Sequence, residues 1–207
     1  METISLMRGS FITFEGIDGS GKTTIINMLA KKLENVVVTA EPTNTWIGNS
    51  VKKAIEEGKD AITVALLFIA DRNEHIKKIK EWLRQGKIVL CDRYLDSTYA
   101  YQKEALKKAM KNPSKWIEDV QKPFILKPDL TILFVLPVEQ AIKRIANRKK
   151  IIYEKKEFLE KVQENYIELA KKEKRFVIID ASREKEKVLN DCMEVISKFL
   201  SLHQDLK

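Results

Sequence analysis

The sequence predicts an α/β fold built on a five-stranded, mainly parallel sheet with helices on both faces. Two observations carry that expectation. Five short runs are nearly continuous in apolar residues, as strands covered on both faces are. Each run is followed by a stretch of helical period, the alternation that produces right-handed crossovers between parallel strands. No internal repeat, low-complexity tract or linker interrupts the pattern.

The strands are expected at SFITFE (10–15), NVVVTA (35–40), KIVLCD (87–92), DLTILFVL (129–136) and RFVIIDA (175–181). The first helix is expected over Lys22–Leu33 and the second over Ile47–Glu57, ending at Gly58. The third runs over Ile62–Gln85, with apolar positions Ile62, Leu66, Ile69, Ile76, Ile79 and Leu83 near helical spacing and a stop at Gly86. Further helices are expected at about 97–110, 113–121, 138–148, 155–173 and 184–201. In such a sheet a ligand binds at the carboxyl ends of the strands.

The chain has 207 residues, 44% hydrophobic and 33% charged, which suits a single folded domain over 1–207. Its net charge of +8 fits small anionic ligands or nucleic acid. The lysines alternate with glutamates in stretches such as KKEFLEKVQENYIELAKKEKR, the pattern of solvated helix faces, so no nucleic-acid partner is expected. There are two cysteines, Cys91 and Cys192, and two histidines, His75 and His203. These give little support to a disulfide framework, a zinc site or a histidine triad. The longest apolar run, TILFVLPV, is far too short to span a bilayer, and no signal peptide is visible, so a cytoplasmic location without a membrane partner is expected.

Phe14–Thr24 reads FEGIDGSGKTT, and Gly16, Ile17, Asp18, Gly19, Ser20, Gly21, Lys22 and Thr23 within it fit G-x-x-x-x-G-K-[ST]. The motif follows an expected strand and opens an expected helix, the context a phosphate-binding loop requires. Its glycines let backbone N–H groups turn toward an anion, and the helix start adds partial positive charge. Lys22 is expected to reach the β- and γ-phosphates of a nucleoside triphosphate, and Thr23 to place its hydroxyl on Mg²⁺. The N-K-x-D element by which GTPases read guanine is absent. One residue is unexpected: Asp18 puts a negative charge inside a loop that attracts phosphate.

Two later segments, LLFIADRNEH (66–75) and VLCDRYLDSTYAYQ (89–102), join the loop in an ordered set that closely resembles the thymidylate kinase family, which phosphorylates dTMP with ATP. The likeness continues through PDLTILFVLPVEQAIKRI (128–145), YEKKEFLEKVQENYIELA (153–170) and VIIDAS (177–182), and so covers nearly the whole chain. It implies a P-loop kinase fold with a short lid at about 143–156, ATP as co-substrate with Mg²⁺, dTMP as acceptor, and a homodimer.

The resemblance implies that Asp18 turns to the sugar of the acceptor and holds its 3′-hydroxyl; the alternative is a turn-forming Asp. Phe68 and Arg72, four apart on one helix face, are implied to stack under thymine and to bond its O4. Phe68 could instead be a core residue and Arg72 a partner of Asp71 or Glu74. Asp92 ends a strand and is implied to support Mg²⁺ through water. Arg93 is implied to grip the dTMP phosphate, the alternative being a strand-end ion pair. Ser97 and Thr98 are implied to line the base pocket with Gln102 nearby, and Tyr101 to exclude a 2′-hydroxyl unless it merely packs its helix.

Some relatives carry an Arg inside the phosphate loop. Here Gly19 stands there, so a cation is expected from the lid, KRIANRKK (143–150), with Arg148 first among Arg144, Arg148, Lys149 and Lys150. Arg144 is alternatively implied to stack on adenine, and the run could simply complement a helix dipole. Two departures stand out: no basic residue flanks Glu41-Pro42, and Val135 occupies a position where relatives often have Asp. Two other readings stay open, a P-loop kinase for dUMP or a deoxynucleoside and a basic nucleic-acid-binding ATPase.

Overall fold

The computed structural model describes residues 9–145 and 156–204. The strands are β1 (Ser10–Glu15), β2 (Val36–Ala40), β3 (Ile88–Asp92), β4 (Leu130–Val135) and β5 (Phe176–Asp180), in the sheet order β2-β3-β1-β4-β5. Every pairing is parallel, so all carboxyl ends lie on one edge of the sheet. β1 takes the centre, with Ile12 opposite both Leu90 and Leu130.

Period-two alternation divides the core. Phe11, Val89 and Cys91 pack with Ile76, Ile79 and Leu83 of helix α3 (Ala61–Arg84). Ile12, Phe14 and Leu90 belong to the larger cluster with Ile25, Ile26 and Leu29 of α1 (Lys22–Ala30) and Val188, Leu189 and Cys192 of α9 (Lys185–Gln204). That cluster also takes in Leu159, Val162 and Tyr166 of α8 (Lys156–Lys172). The expectation that every strand is covered on both faces fails at the two edges, where Val38 and Ile178 are exposed. An edge strand has one neighbour and a shorter cover of helix.

Helix starts follow their capping residues. Thr45 accepts from the Gly48 N–H and opens α2 (Trp46–Glu56), and Asp60 accepts from the Ile62 and Thr63 N–H groups and opens α3. Asn112 caps α6 (Pro113–Gln121), whose proline stands in the first turn, where a missing N–H costs nothing. The helix α7 covers Val138–Ile145.

The single helix expected over 97–110 is not continuous. α4 (Leu95–Ser97) runs into a π turn (Thr98–Gln102), then α5 (Lys103–Ala105) and a 3₁₀ turn (Leu106–Lys108). Thr98 and Tyr101 are both tied to partners on other elements, and the wider turn lets both reach them.

Candidate active site

The carboxyl ends of β1, β2 and β3 carry Glu15, Glu41 and Asp92, and the expected site residues gather around them. The phosphate loop leaves β1 with Gly16, Gly19 and Gly21 all at positive φ. At Gly19 (φ 81°) a Cβ would stand 2.3 Å from the Ala141 carbonyl oxygen of α7. The loop and α7 are thus too close for any side chain there, which accounts physically for the lack of a loop arginine.

Lys22 is buried at the head of α1, and its ammonium donates to the Gly16 and Ile17 carbonyls at 3.0 Å and to Ser20 Oγ at 3.2 Å. Burial, then the charge of Arg93, lowers its pKa to about 8 against the pull of Asp92, Asp18 and Glu15. The next residue, Thr23, donates from Oγ1 to Asp92 Oδ2 at 2.5 Å, pairing a hydroxyl and a carboxylate at the mouth of the loop.

Arg93 follows β3 in the left-handed region (φ 66°), a conformation that costs free energy for a side chain of this size. Both Nη groups of its guanidinium are held. Nη2 donates to Asp18 Oδ1 at 2.6 Å and to Tyr101 Oη at 3.3 Å. Nη1 donates to the Gly16 carbonyl and Ser97 Oγ at 3.1 Å and to Tyr166 Oη at 3.4 Å. The Tyr101 hydroxyl donates to Asp18 Oδ2 at 3.0 Å, and the Tyr101 ring lies 5.0 Å from the guanidinium carbon. Burial would raise the pKa of Asp18, but Arg93 and Lys22 beside it bring it below the usual carboxylate value.

Behind Arg93 stands Glu15, with no solvent exposure. It accepts from the Tyr94 N–H at 2.9 Å, Ser97 Oγ at 2.6 Å and Tyr166 Oη at 2.9 Å. Ser97 therefore lies on the Arg93 side and not beside Arg72.

A second buried network surrounds Arg72. Its Nε and Nη2 donate to Glu41 Oε2 at 2.9 and 2.6 Å, Nη2 to Thr98 Oγ1 at 2.8 Å and Nη1 to Gln121 Oε1 at 2.5 Å. Its partner is therefore Glu41, not Asp71 or Glu74; Asp71 instead accepts from Thr43. Of five guanidinium hydrogens, one on Nη1 keeps no acceptor among the described residues. Glu41 also meets His75 Nδ1 at 3.0 Å, and His75 Nε2 meets Thr39 Oγ1 at 2.7 Å. Phe68, on α3 with Arg72, is half-buried and belongs to none of the buried core clusters. On the π turn, Gln102 is buried and its Oε1 has no hydrogen-bond partner among the described residues.

Arg144 of α7 bridges the phosphate loop and the turn after β5, donating to the Gly19 carbonyl at 3.4 Å and the Ala181 carbonyl at 3.2 Å. Arg148, Lys149 and Lys150 lie outside the described residues, as does most of the expected lid. Sequence reasoning did not single out Glu15, Glu41, Gln121 or Tyr166, which complete the two networks. For the glutamates a signal was present, an acid at the carboxyl end of an apolar strand.

A wholly parallel five-stranded sheet with a glycine loop, a buried lysine, a buried Arg72 and a partly buried Arg93 at one edge defines a P-loop phosphotransferase. Residues 14–192 match the family described as Thymidylate kinase. A probable thymidylate kinase of Methanococcoides burtonii is 42% identical over 199 residues, covering 94% of this chain and 99% of that protein. One from Methanosarcina barkeri is 44% identical over 203 residues, with 94% and 99% covered. A solved thymidylate kinase of Candida albicans superposes with a TM-score of 0.79 at 28% identity, over 92% of each chain. The chain belongs to the thymidylate kinase family, whose reaction is the ATP-dependent phosphorylation of dTMP. Neither the nucleic-acid reading nor a different acceptor is favoured by these comparisons.

Proposed function

We propose that this chain moves the γ-phosphoryl group of ATP to dTMP, giving dTDP and ADP, with the roles that follow. The observation that carries the acceptor assignment is the match to the thymidylate kinase family over residues 14–192; Gln102 Oε1 and the spare Nη1 hydrogen of Arg72, both closed to solvent, are the groups we assign to reading the base. Thymine offers an N3–H donor and an O4 acceptor, which complement an acceptor and a donor. Cytosine presents the reverse at the same two positions and would leave both protein groups unpaired, at about 1–3 kcal/mol each.

Phe68 supplies a face for the base, and Thr98 holds the Arg72 fork. Asp18 is half exposed and keeps lone pairs beyond those used by Arg93 and Tyr101, so it can accept the 3′-hydroxyl. The Tyr101 ring occupies the space beside the sugar. Arg93 grips the acceptor phosphate, Lys22 the β- and γ-phosphates, and Arg144 sits beside adenine. No strong base is required, because the acceptor is already a phosphate anion, and in-line transfer rests on positioning and charge.

Thr23 and Asp92 offer oxygen ligands only, and no cage of three or more His, Cys, Asp or Glu exists among the described residues. That donor set suits Mg²⁺ carried largely by phosphates and water. The ion, when bound, supplies neutralising charge across the β- and γ-phosphates. Arg148 in the lid provides the further cation. The whole chain, 1–207, acts as one catalytic domain. Two buried free thiols, Cys91 and Cys192, support a reducing cytoplasmic setting, and the exposed Ile62 and Leu66 of α3 support a homodimer.

The deciding experiment is an ADP-release assay across all nucleoside monophosphates. dTMP is expected to be the best acceptor, dUMP to trail by about 10–200-fold for one methyl group, and dCMP to be very poor. Faster turnover of dCMP than of dTMP would overturn the base assignment.

A further inference from the structure

We propose that Glu15 is the positioning residue for Arg93, acting through the hydroxyls of Ser97 and Tyr166. The inference rests on the reading of Arg93 as the grip on the acceptor phosphate. Arg93 itself has no direct bond to Glu15. Instead Ser97 Oγ accepts from Arg93 Nη1 at 3.1 Å and donates to Glu15 Oε2 at 2.6 Å. Tyr166 Oη accepts from the same Nη1 at 3.4 Å and donates to the same Oε2 at 2.9 Å. Ser97 and Tyr166 also touch each other at 2.7 Å.

The direction of the hydrogens is what matters. A hydroxyl has one hydrogen and two lone pairs. While Glu15 is ionised, it can only accept, so it draws the hydroxyl hydrogens toward itself and leaves lone pairs turned to Arg93. A proton on Oε2 makes that oxygen a donor. The hydroxyl that takes this proton turns its own hydrogen to its neighbour across the 2.7 Å contact, and Arg93, in its strained backbone position (φ 66°), loses the negative charge that stood behind its acceptors. Glu15 thus fixes from behind where the guanidinium fork stands.

The surroundings of Glu15 bring this event into the neutral range. Burial, then the Asp96 charge from α4, raises its pKa to about 7, against the Ser97 hydrogen bond, the Arg93 charge and the Tyr166 hydrogen bond. Lys22 of α1, Arg72 of α3, Cys91 of β3 and Arg175 at the head of β5 also feel its charge. Asp96 is itself paired to Arg175 at 2.8 Å, so its charge is fixed in place. Above about pH 7 the ionised form prevails and Arg93 is set; below it the fork loosens.

The test compares Glu15→Gln, Tyr166→Phe and Arg93→Ala with the wild-type enzyme, each checked for folding by circular dichroism. Profiles of kcat/KM for dTMP are taken between about pH 6 and 8, spanning the ionisation in question. The acceptor's own phosphate titrates near pH 6 in every variant. The wild type is expected to show a second rise near pH 7. Glu15→Gln, whose amide donates where the carboxylate accepted, should lose that rise and lower kcat/KM for dTMP by about 10–100-fold at high pH. KM for ATP should stay unchanged. Tyr166→Phe should raise KM for dTMP selectively while keeping the second rise. A folded Glu15→Gln enzyme with wild-type KM for dTMP and an unaltered profile overturns the proposal. Should that variant not fold, Tyr166→Phe decides, and wild-type KM for dTMP there overturns it equally. If Arg93→Ala loses dTMP use while Glu15→Gln does not, only this proposal fails. If Arg93→Ala also keeps it, the reading of Arg93 fails first.

Discussion

Arg93 Nη2 donates to Asp18 Oδ1 at 2.6 Å, so the acid inside the phosphate loop and the cation after β3 form one ion pair. The pair explains how a carboxylate is tolerated beside a phosphate site: its charge is committed to an arginine and a tyrosine. Asp18→Asn keeps the shape and removes the charge. It is expected to raise KM for dTMP about tenfold or more, the loss of a charge-assisted bond, and not to raise KM for ATP, since one negative charge near the triphosphate is gone. Steady-state kinetics with each substrate varied checks both signs.

Lys22→Ala is expected to abolish transfer without changing the melting temperature by more than a few degrees, because the ammonium serves the loop and the phosphates. The wild type should also show a pH signature. With its pKa lowered to about 8, chiefly by burial, Lys22 is charged below that value and neutral above it. ATP affinity should therefore hold steady below about pH 8 and weaken above it. Calorimetry there should show proton uptake on binding, since a bound triphosphate restores the charge. Binding that strengthens with rising pH would contradict this.

Phe68→Ala is expected to raise KM for dTMP and leave KM for ATP almost unchanged, with a cost of about 1–3 kcal/mol for a lost base stack. The half-buried position of Phe68 outside the core clusters favours that outcome. A fall in thermal stability with both KM values rising together would mark it as a packing residue.

Tyr101 carries two separable properties. Its ring is expected to exclude ribose, so Tyr101→Ala should narrow the gap between dTMP and its ribo-analogue, while Tyr101→Phe keeps the gap. Its hydroxyl donates to Asp18 and accepts from the Asp18 N–H at 3.1 Å. Tyr101→Phe should therefore lose several-fold in kcat/KM, about 1 kcal/mol, for both sugars alike. Competition assays between the two nucleotides separate the effects.

Arg148→Ala is expected to lower kcat by about 10²-fold or more and to leave dTMP binding without ATP unchanged. Lys at this position should recover only part of the rate, lacking the planar fork. Arg144→Ala should chiefly raise KM for ATP, because its guanidinium already ties the Gly19 carbonyl to the Ala181 carbonyl. Measuring both variants side by side decides which residue supplies the transferring group's cation.

The sequence displayed the sheet well because its strands are apolar runs bounded by charge: β1 is Ser10–Glu15 as expected, β2 and β3 start one residue later, and β4 and β5 are one residue shorter at each end. The phosphate loop was legible because its chemistry is local. Two things were not. The π turn at Thr98–Gln102 is set by what Thr98 and Tyr101 reach on other elements, and no helical periodicity encodes that. The partners of the two arginines were hidden by distance along the chain: Glu41 meets Arg72, and Tyr166 meets Arg93 from the far end of the sequence. The missing basic residue near Glu41-Pro42 drew attention to that segment for what it lacked, whereas its acid is what the structure uses.

The central place of β1 bears on how the enzyme is made. Ser10 pairs with Ile88 and Ile12 with Leu130, so the strand that launches the phosphate loop has no neighbour nearby in sequence. During synthesis the complete glycine motif leaves the ribosome long before either flanking strand exists. A nascent or truncated chain ending before Ile88 carries the whole motif and neither of the strands that hold it. Its apolar first strand is left for chaperones to shield, and nucleotide can act as a folding ligand only after β3 has docked.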